Sequence, residues 1–350
     1  AQAIDLSHYF TNPAKPVIQS DKFRPLHLRY ISYDSETNYF QILLDKGDFF
    51  NQKTEKPKNG KTPEFLNSST PKLEETTQEL MKYFFIGLAL PNEKFWVNLR
   101  PDSPDNILDD DLAKTDIGRI FLEADLQLKK DTSGMTSPQT KEGKEYWDKL
   151  YKKAGELFGT ENITIPTITR PWIVPGEIII GESPEGAYIY KATLKVMLEE
   201  DYLNQKTEKP KNRKTEIYNF SDPRLKELNQ YSTQLIKETI IPKLTYEVNT
   251  SKRYAPLRQV YYSLILAQWF KEKYNRRGSA RTPGASAPVN NYIDLIDSGN
   301  LANIASREPY DKRIYFQQYQ KSFQDGEYNL QEPVYTPAGQ SIRRYISGGL

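Results

Sequence analysis

A helix that needs cover on two sides constrains this chain more than any other feature. Between Thr115 and Lys130, Ile117, Phe121, Ala124 and Leu128 fall on one helical face, with Ile120 beside them. Leu122 and Leu126 fall nearly opposite. Such a helix can bury both sides only between two layers. Thr115 is placed to cap its N-terminus, and Asp116 stands in the first turn against the positive end of the dipole. Arg119 is four residues from Glu123 and suits an ion pair. Lys129 and Lys130 suit the C-terminal end, and Ser133-Gly134 reads as the stop. This helix lies inside the stretch from Phe95 to Tyr202, where apolar periodicity is densest.

Both periods of regular structure occur around it. Leu26–Tyr33 and Asn38–Leu44 alternate as strands, with Asp34-Ser35-Glu36-Thr37 as the turn. Ile163–Ile168, Trp172–Val174, Glu177–Ile180, Ala187–Tyr190 and Thr193–Leu198 also read as strands, with 181–186 as a hairpin loop. The unbroken run Ile178-Ile179-Ile180 predicts burial on both faces. Three-four spacing predicts helices over Pro71–Leu88, Gly143–Phe158, Pro223–Ile241, Pro256–Tyr274 and Lys312–Phe323. Gly159 closes the second of these, and Asp222-Pro223 opens the third. Arg276–Pro288, rich in Gly, Ser, Ala and Pro, reads as a surface loop, and Pro333–Ile346 as a strand or hairpin.

The pattern predicts one large α+β unit, with mixed or antiparallel sheets packed against amphipathic helices and extended arms at both ends. An arm covers 1–24, a strand hairpin, polar loop and helix 25–94, and the central α+β core 95–275. A loop, short helix and C-terminal strand or arm complete 276–350. The segment Asn51–Thr62 recurs almost unchanged at Asn204–Thr215, differing only where Gly60 becomes Arg213. Its Lys, Asn, Glu and Pro content reads as a solvated loop, and its recurrence as a duplicated unit of the kind that serves assembly.

Totals remove several classes of function. A net charge of +2 supplies no field for nucleic acid, so no nucleic-acid partner is expected. No apolar run reaches the roughly 18 residues a membrane span needs. With no cysteine, disulfides and thiolate chemistry are excluded. The start Ala1-Gln2-Ala3, without an initiator Met, fits either a mature end left by signal-peptide cleavage or a chain trimmed at this point.

Candidate chemistry is sparse. The two histidines, His8 and His27, have no metal-ligand or triad motif around them, and no phosphate-cradling glycine motif is present. Asp102, Asp105, Asp109, Asp110 and Asp111 carry enough carboxylates for calcium but lack the EF-hand spacing and glycine, so they read as a solvated loop before a helix. Glu123 with Asp125, or Glu199, Glu200 and Asp201 at a strand end, are weak candidates for a carboxylate-dependent hydrolase. Trp96, Trp147, Trp172 and Trp269 each sit in an apolar pattern and read as core. No catalytic, cofactor-binding or metal-binding residue is assigned, and no cofactor is expected.

Several blocks carry a likeness. They are Phe95–Leu99, Thr115–Arg119, Asp125–Lys130, Tyr146–Lys149, Trp172–Pro175, Leu194–Leu203, Pro256–Tyr261 and the ending Ser347-Gly348-Gly349. Together they resemble a family of exported bacterial domains, known mostly from environmental genomes, to which no activity is assigned. The resemblance spans most of the chain after about residue 25 and implies an extracellular or cell-surface location, but no catalytic residues.

The expectation is therefore a structural, self-associating exported protein whose main partner is a copy of itself. Its 24 tyrosines suit polar interfaces. A polysaccharide- or peptide-binding module is the first alternative, and a carboxylate hydrolase the second.

Overall fold

A computed structural model describes residues 22–34, 36–37, 39–49, 69–89, 110–113, 115–138, 140–161, 163, 165, 170–184, 186–206, 222–279, 312–324, 330–335 and 341–347. The strands are β1 (His27–Asp34), β2 (Tyr39–Asp45), β3 (Pro171–Glu182), β4 (Gly186–Leu198), β5 (Leu330–Tyr335) and β6 (Ser341–Ser347). The helices are α1 (Ser69–Ala89), α2 (Asp110–Ala113), α3 (Asp116–Met135), α4 (Lys141–Phe158), α5 (Glu199–Lys206), α6 (Pro223–Thr239), α7 (Ile241–Thr250), α8 (Ala255–Ser279) and α9 (Lys312–Gln324).

The architecture is α+β. One antiparallel sheet has the order β2-β1-β4-β3, and β5 and β6 pair separately. The inner face of the sheet packs on α1 and α8. Tyr33 and Phe40 from the sheet meet Phe84 and Phe85 of α1 and Phe270 of α8, with ring centroids 5.0 to 6.0 Å apart. Each such pair adds about 1 kcal/mol beyond the area it buries. Helices α1 and α8 touch closely at Gly87, where a Cβ would lie 2.8 Å from the Cβ of Ala267.

Helix α3 is buried along both sides, as its pattern demands: Ile117, Leu122, Ala124, Leu126 and Leu128 are all inside. Thr115 caps it, its hydroxyl accepting from the Gly118 amide, and Arg119 pairs with Glu123 at 3.2 Å. Its end differs from expectation. The helix runs through Ser133-Gly134 to Met135, and Thr132, Ser133 and Gly134 are buried. Tertiary packing therefore overrides the local stop. The Thr132 and Thr136 hydroxyls bond back to the Leu128 and Thr132 carbonyls, and the Trp147 indole donates to the Thr136 carbonyl at 2.8 Å. Lys129 is not a solvated C-terminal lysine but a buried partner of Asp125 at 2.6 Å.

Other boundaries also shift. The four strand pieces expected between Trp172 and Leu198 form one long hairpin, with bulges after Pro175 and Ile179. Ile178 and Ile179 are 40% and 44% exposed, against the expectation of two-faced burial, because β3 lies at the sheet edge. Glu199, Glu200 and Asp201 begin α5 rather than end a strand. Residues 276–279 continue α8, whereas 280–288 lie outside the described residues. The helix expected over Pro223–Ile241 ends at Thr239, and Ile241 begins another, α7, with Pro242 in its first turn, where a missing N–H costs nothing.

Strand β1 pairs with β4 only over 30–32 against 186–188. Beyond that point side chains take over the edge of β4. Arg29 donates to the Tyr190 carbonyl (3.0 Å) and the Tyr262 hydroxyl to the Ala192 carbonyl (3.5 Å). Asn249 accepts from the Leu194 amide (2.9 Å) and donates to its carbonyl (2.7 Å); Thr245 accepts from the Val196 amide (3.0 Å). Alternate residues of an antiparallel strand face one edge, so this is a ladder built from side chains.

Candidate functional site

The most exposed apolar groups of the described residues lie on the outer face of the sheet. In β2, Phe40, Ile42 and Leu44 turn inward, leaving Tyr39 72% and Leu43 51% exposed. Register then aligns one row across all four strands: Leu43 beside Tyr30, Tyr30 beside Tyr188, and Tyr188 beside Gly181. Gly181 leaves room for the ring of Tyr190, since a Cβ there would sit 2.4 Å from it. Tyr190 is 62% exposed and packs edge-to-face on Tyr188, with centroids 5.0 Å apart. Arg29 fixes this pair: its guanidinium lies 5.4 Å from the Tyr188 centroid and its Nε donates to that hydroxyl at 3.3 Å. The result is a tyrosine-rich face with one ordered cation.

Charged groups also gather in the interior. Asp131 and Glu247, both almost fully buried, share the Arg253 guanidinium at 2.8 and 3.1 Å. Gln127 and the Tyr254 hydroxyl donate to the Asp131 carboxylate as well. Burial raises the Asp131 carboxyl to about 6 despite these donors. Such a network fixes α3 against the turn between α7 and α8. Its members are already committed to one another, so it is read as structural.

His27 is the histidine that the described residues include. It is buried at the start of β1, opposite Asp45 in register. Its Nδ1 donates to the Pro25 carbonyl at 2.9 Å, so Nε2 carries the lone pair in the neutral ring. Nε2 has no hydrogen-bond partner and stands 3.9 Å from the Asp45 carboxylate. The ring packs on Tyr262, with centroids 4.0 Å apart. Burial lowers its pKa; Asp45 opposes that shift, and Arg29 and Arg258 reinforce it. A depressed folded value means stability is full above the unfolded value of about 6.5 and falls as pH drops through the folded value. Asp131 acts oppositely: its contribution is present below the unfolded value and lost as pH rises through about 6. Urea melts of the native chain and His27→Gln at pH 7 and 5 separate the two. The native chain should lose stability relative to the variant on acidification, by at most about 1.4 kcal/mol per pH unit. Parallel curves would show that His27 does not titrate in this range.

The remaining sequence candidates do not converge on one site. His8, Trp96, Asp102, Asp105, Asp109, the first copy of the repeated loop and 207–215 of the second lie outside the described residues, the second copy's first three residues, 204–206, end α5, and of the acidic run only the backbone of Asp110 and Asp111 is described, in α2. Trp147 and Trp269 are core, as expected. Glu123 pairs with Arg119 and Asp125 with Lys129, while Glu199 pairs with Arg170 at 3.4 Å. Among the described residues no group of three His, Asp or Glu is placed to hold a metal, and no helix is long and apolar enough to cross a membrane. The tyrosine face went unread in the sequence, although the alternation Tyr39, Gln41, Leu43 was a usable signal for an apolar outer side. No protein-family model, curated protein or solved structure matches the chain.

Proposed function

We propose that this chain is a structural subunit of an exported assembly that associates with further copies of itself through the outer face of its sheet. The row Leu43, Tyr30, Tyr188, with Tyr39 and Tyr190 beside it, is the observation that supports this reading. Tyrosine offers a large apolar ring and a polar tip at low entropy cost, which suits a surface that is wet until it is covered. Two such faces from two copies stack at about 10 Å as in a sandwich. The face rather than the edge is favoured, because β3 carries Pro171, Pro175 and a bulge, devices that blunt strand addition. A net charge of +2 opposes self-contact only weakly.

Light scattering across a concentration series tests this. The native chain should grow to dimers or larger particles, and Tyr39→Ser with Tyr190→Ser should stay monomeric with an unchanged thermal midpoint. A native chain that remains monomeric at high concentration overturns the reading. A second reading, a polysaccharide-binding face, draws on the exposure of the Tyr39 and Tyr190 rings, which are free to stack on sugars. Glycan-array signal from a monomeric native chain, lost in the same double variant, would favour it.

A further inference from the structure

The two edges of the four-stranded sheet are unlike. The prolines and bulges that blunt strand addition at β3 have no counterpart at β2, the other edge. The seven residues of β2 include no proline. The bulge in the β1–β2 pair falls on β1, at Arg29, so β2 itself runs regular. No described strand pairs with its outer edge. Tyr39–Leu44 carries no charge, and its side chains alternate between the outer face (Tyr39, Gln41, Leu43) and the inner one (Phe40, Ile42, Leu44). Tyr39 and Leu43 are exposed by 72% and 51%, so the outer side of this edge is open to solvent. An uncharged, regular, apolar strand at an open edge is a template for a further strand.

We infer that β2 pairs antiparallel with β2 of a second copy, about a two-fold axis through Gln41, joining two four-stranded sheets into one. The strand's own sequence selects this occupant and this register. Residues directly opposite in an antiparallel pair share a face, so the axis passes through a residue and not between two. With Gln41 on the axis, Tyr39 meets Leu43 of the second copy on the outer face, and Phe40 meets Ile42 on the inner one. Each apolar side chain then faces an apolar one, and Gln41 faces its own copy. Centring on Phe40 or Ile42 instead sets Gln41 against Tyr39 or Leu43. The same register carries exposed Lys46 toward exposed Glu36 in the turn of the second copy, so the flanking charges are opposite in sign. Leu43 heads the row Leu43, Tyr30, Tyr188, so Tyr39 of the second copy extends the tyrosine face across the junction. This inference rests on the reading that copies of the chain associate, but it names a different contact from the face.

Disulfide trapping tests this. The native chain has no cysteine, so every disulfide formed involves an introduced one. Gln41→Cys on the axis meets its own copy at a Cα separation of about 5 Å, within disulfide reach. Leu43→Cys stands about 14 Å from its own copy, four strand residues away, and is out of reach. Under mild oxidation Gln41→Cys should be trapped as a dimer at least tenfold faster than Leu43→Cys or Tyr39→Cys alone. A mixture of Tyr39→Cys and Leu43→Cys should form the heterodimer in preference to either homodimer. Tyr190→Ser lies two strands from this edge, so adding it should leave the Gln41→Cys rate within about twofold. Trapping of Gln41→Cys no faster than that of Leu43→Cys overturns the inference. So does a mixture without preference, or a tenfold loss on adding Tyr190→Ser, which would assign the contact to the face. Growth in light scattering without selective trapping overturns this inference and leaves the face reading standing. Selective trapping with growth unaffected by Tyr190→Ser does the reverse, and a native chain that stays monomeric overturns both.

Discussion

Arg253→Met should cost about 3–5 kcal/mol at pH 7, the range for leaving a buried charge without its partner. Two carboxylates depend on this one guanidinium. Asp131 and Glu247 are both within 3.1 Å of it, and both are almost fully buried. Without Arg253 they face each other uncompensated, and Gln127 and Tyr254 supply only neutral donors. The cost should also depend on pH in a definite direction. Asp131 already titrates near 6 in the native chain, because burial outweighs the attraction of Arg253. Removing that attraction raises its folded value further. A raised folded value means stability is present at low pH and lost as pH rises through that value. The deficit of the variant should therefore be largest at pH 7 and shrink by pH 5, where Asp131 takes up a proton and no longer repels Glu247. Urea melts at the two pH values check both parts. A deficit under about 1 kcal/mol at pH 7, or one equal at both, would mean that the two acids find other partners or water.

What the sequence disclosed depended on how local each cause is. Helix α4 was readable at its end, where the cap Gly159 lies next to it, whereas its start was placed at Gly143, two residues inside the observed Lys141. The Thr140 hydroxyl accepts from the Gly143 amide, and Gly159 takes the left-handed conformation with φ 71°. The start of α3 was readable for the same reason, at Thr115. Its end was not, because Ser133-Gly134 is held helical by burial. Asp131 just before it is tied to Arg253 and Tyr254, 122 and 123 residues away. The run Ile178-Ile179-Ile180 was misjudged because hydrophobicity cannot tell a central strand from an edge; that depends on which strands β4 pairs with. The rungs Thr245 and Asn249 left a faint trace. They are polar residues at four-residue spacing, each beside an apolar neighbour that is buried, Leu244 and Val248. A polar pair set among core positions asks what it bonds to, and the answer here is a strand some 50 residues earlier. Likewise nothing near His27 in the chain announces its state, because Asp45 and Tyr262 reach it through register and packing.

Arg258→Met should destabilise the chain by about 3 kcal/mol or more, and Arg258→Lys should recover less than half of that. The guanidinium donates to three carbonyls, of Val248, Ser251 and Phe23, each at 2.8 Å. No carboxylate among the described residues lies within ion-pair distance of it, and burial pulls its pKa down to about 10. It therefore stays charged at pH 7 on the strength of carbonyl dipoles, two of them at the C-terminal end of α7 where a cation is favoured. A lysine brings a compact point charge and cannot span three acceptors set by a planar fork. The effect should also be directional within the fold. Phe23 donates its amide to the Thr250 carbonyl, and Gln259 donates to the Leu26 carbonyl. The first turns of α8 thus hold the chain that leads into β1. Losing Arg258 leaves three acceptors without this donor, at about 1 kcal/mol or more each. It also frees the 22–26 segment before the rest of the sheet. Hydrogen exchange should therefore accelerate first at the Phe23 amide, with β3 and β4 protected until global unfolding. If exchange instead rises evenly across the sheet, or Arg258→Lys melts with the native chain, the clamp is not what anchors the start of β1.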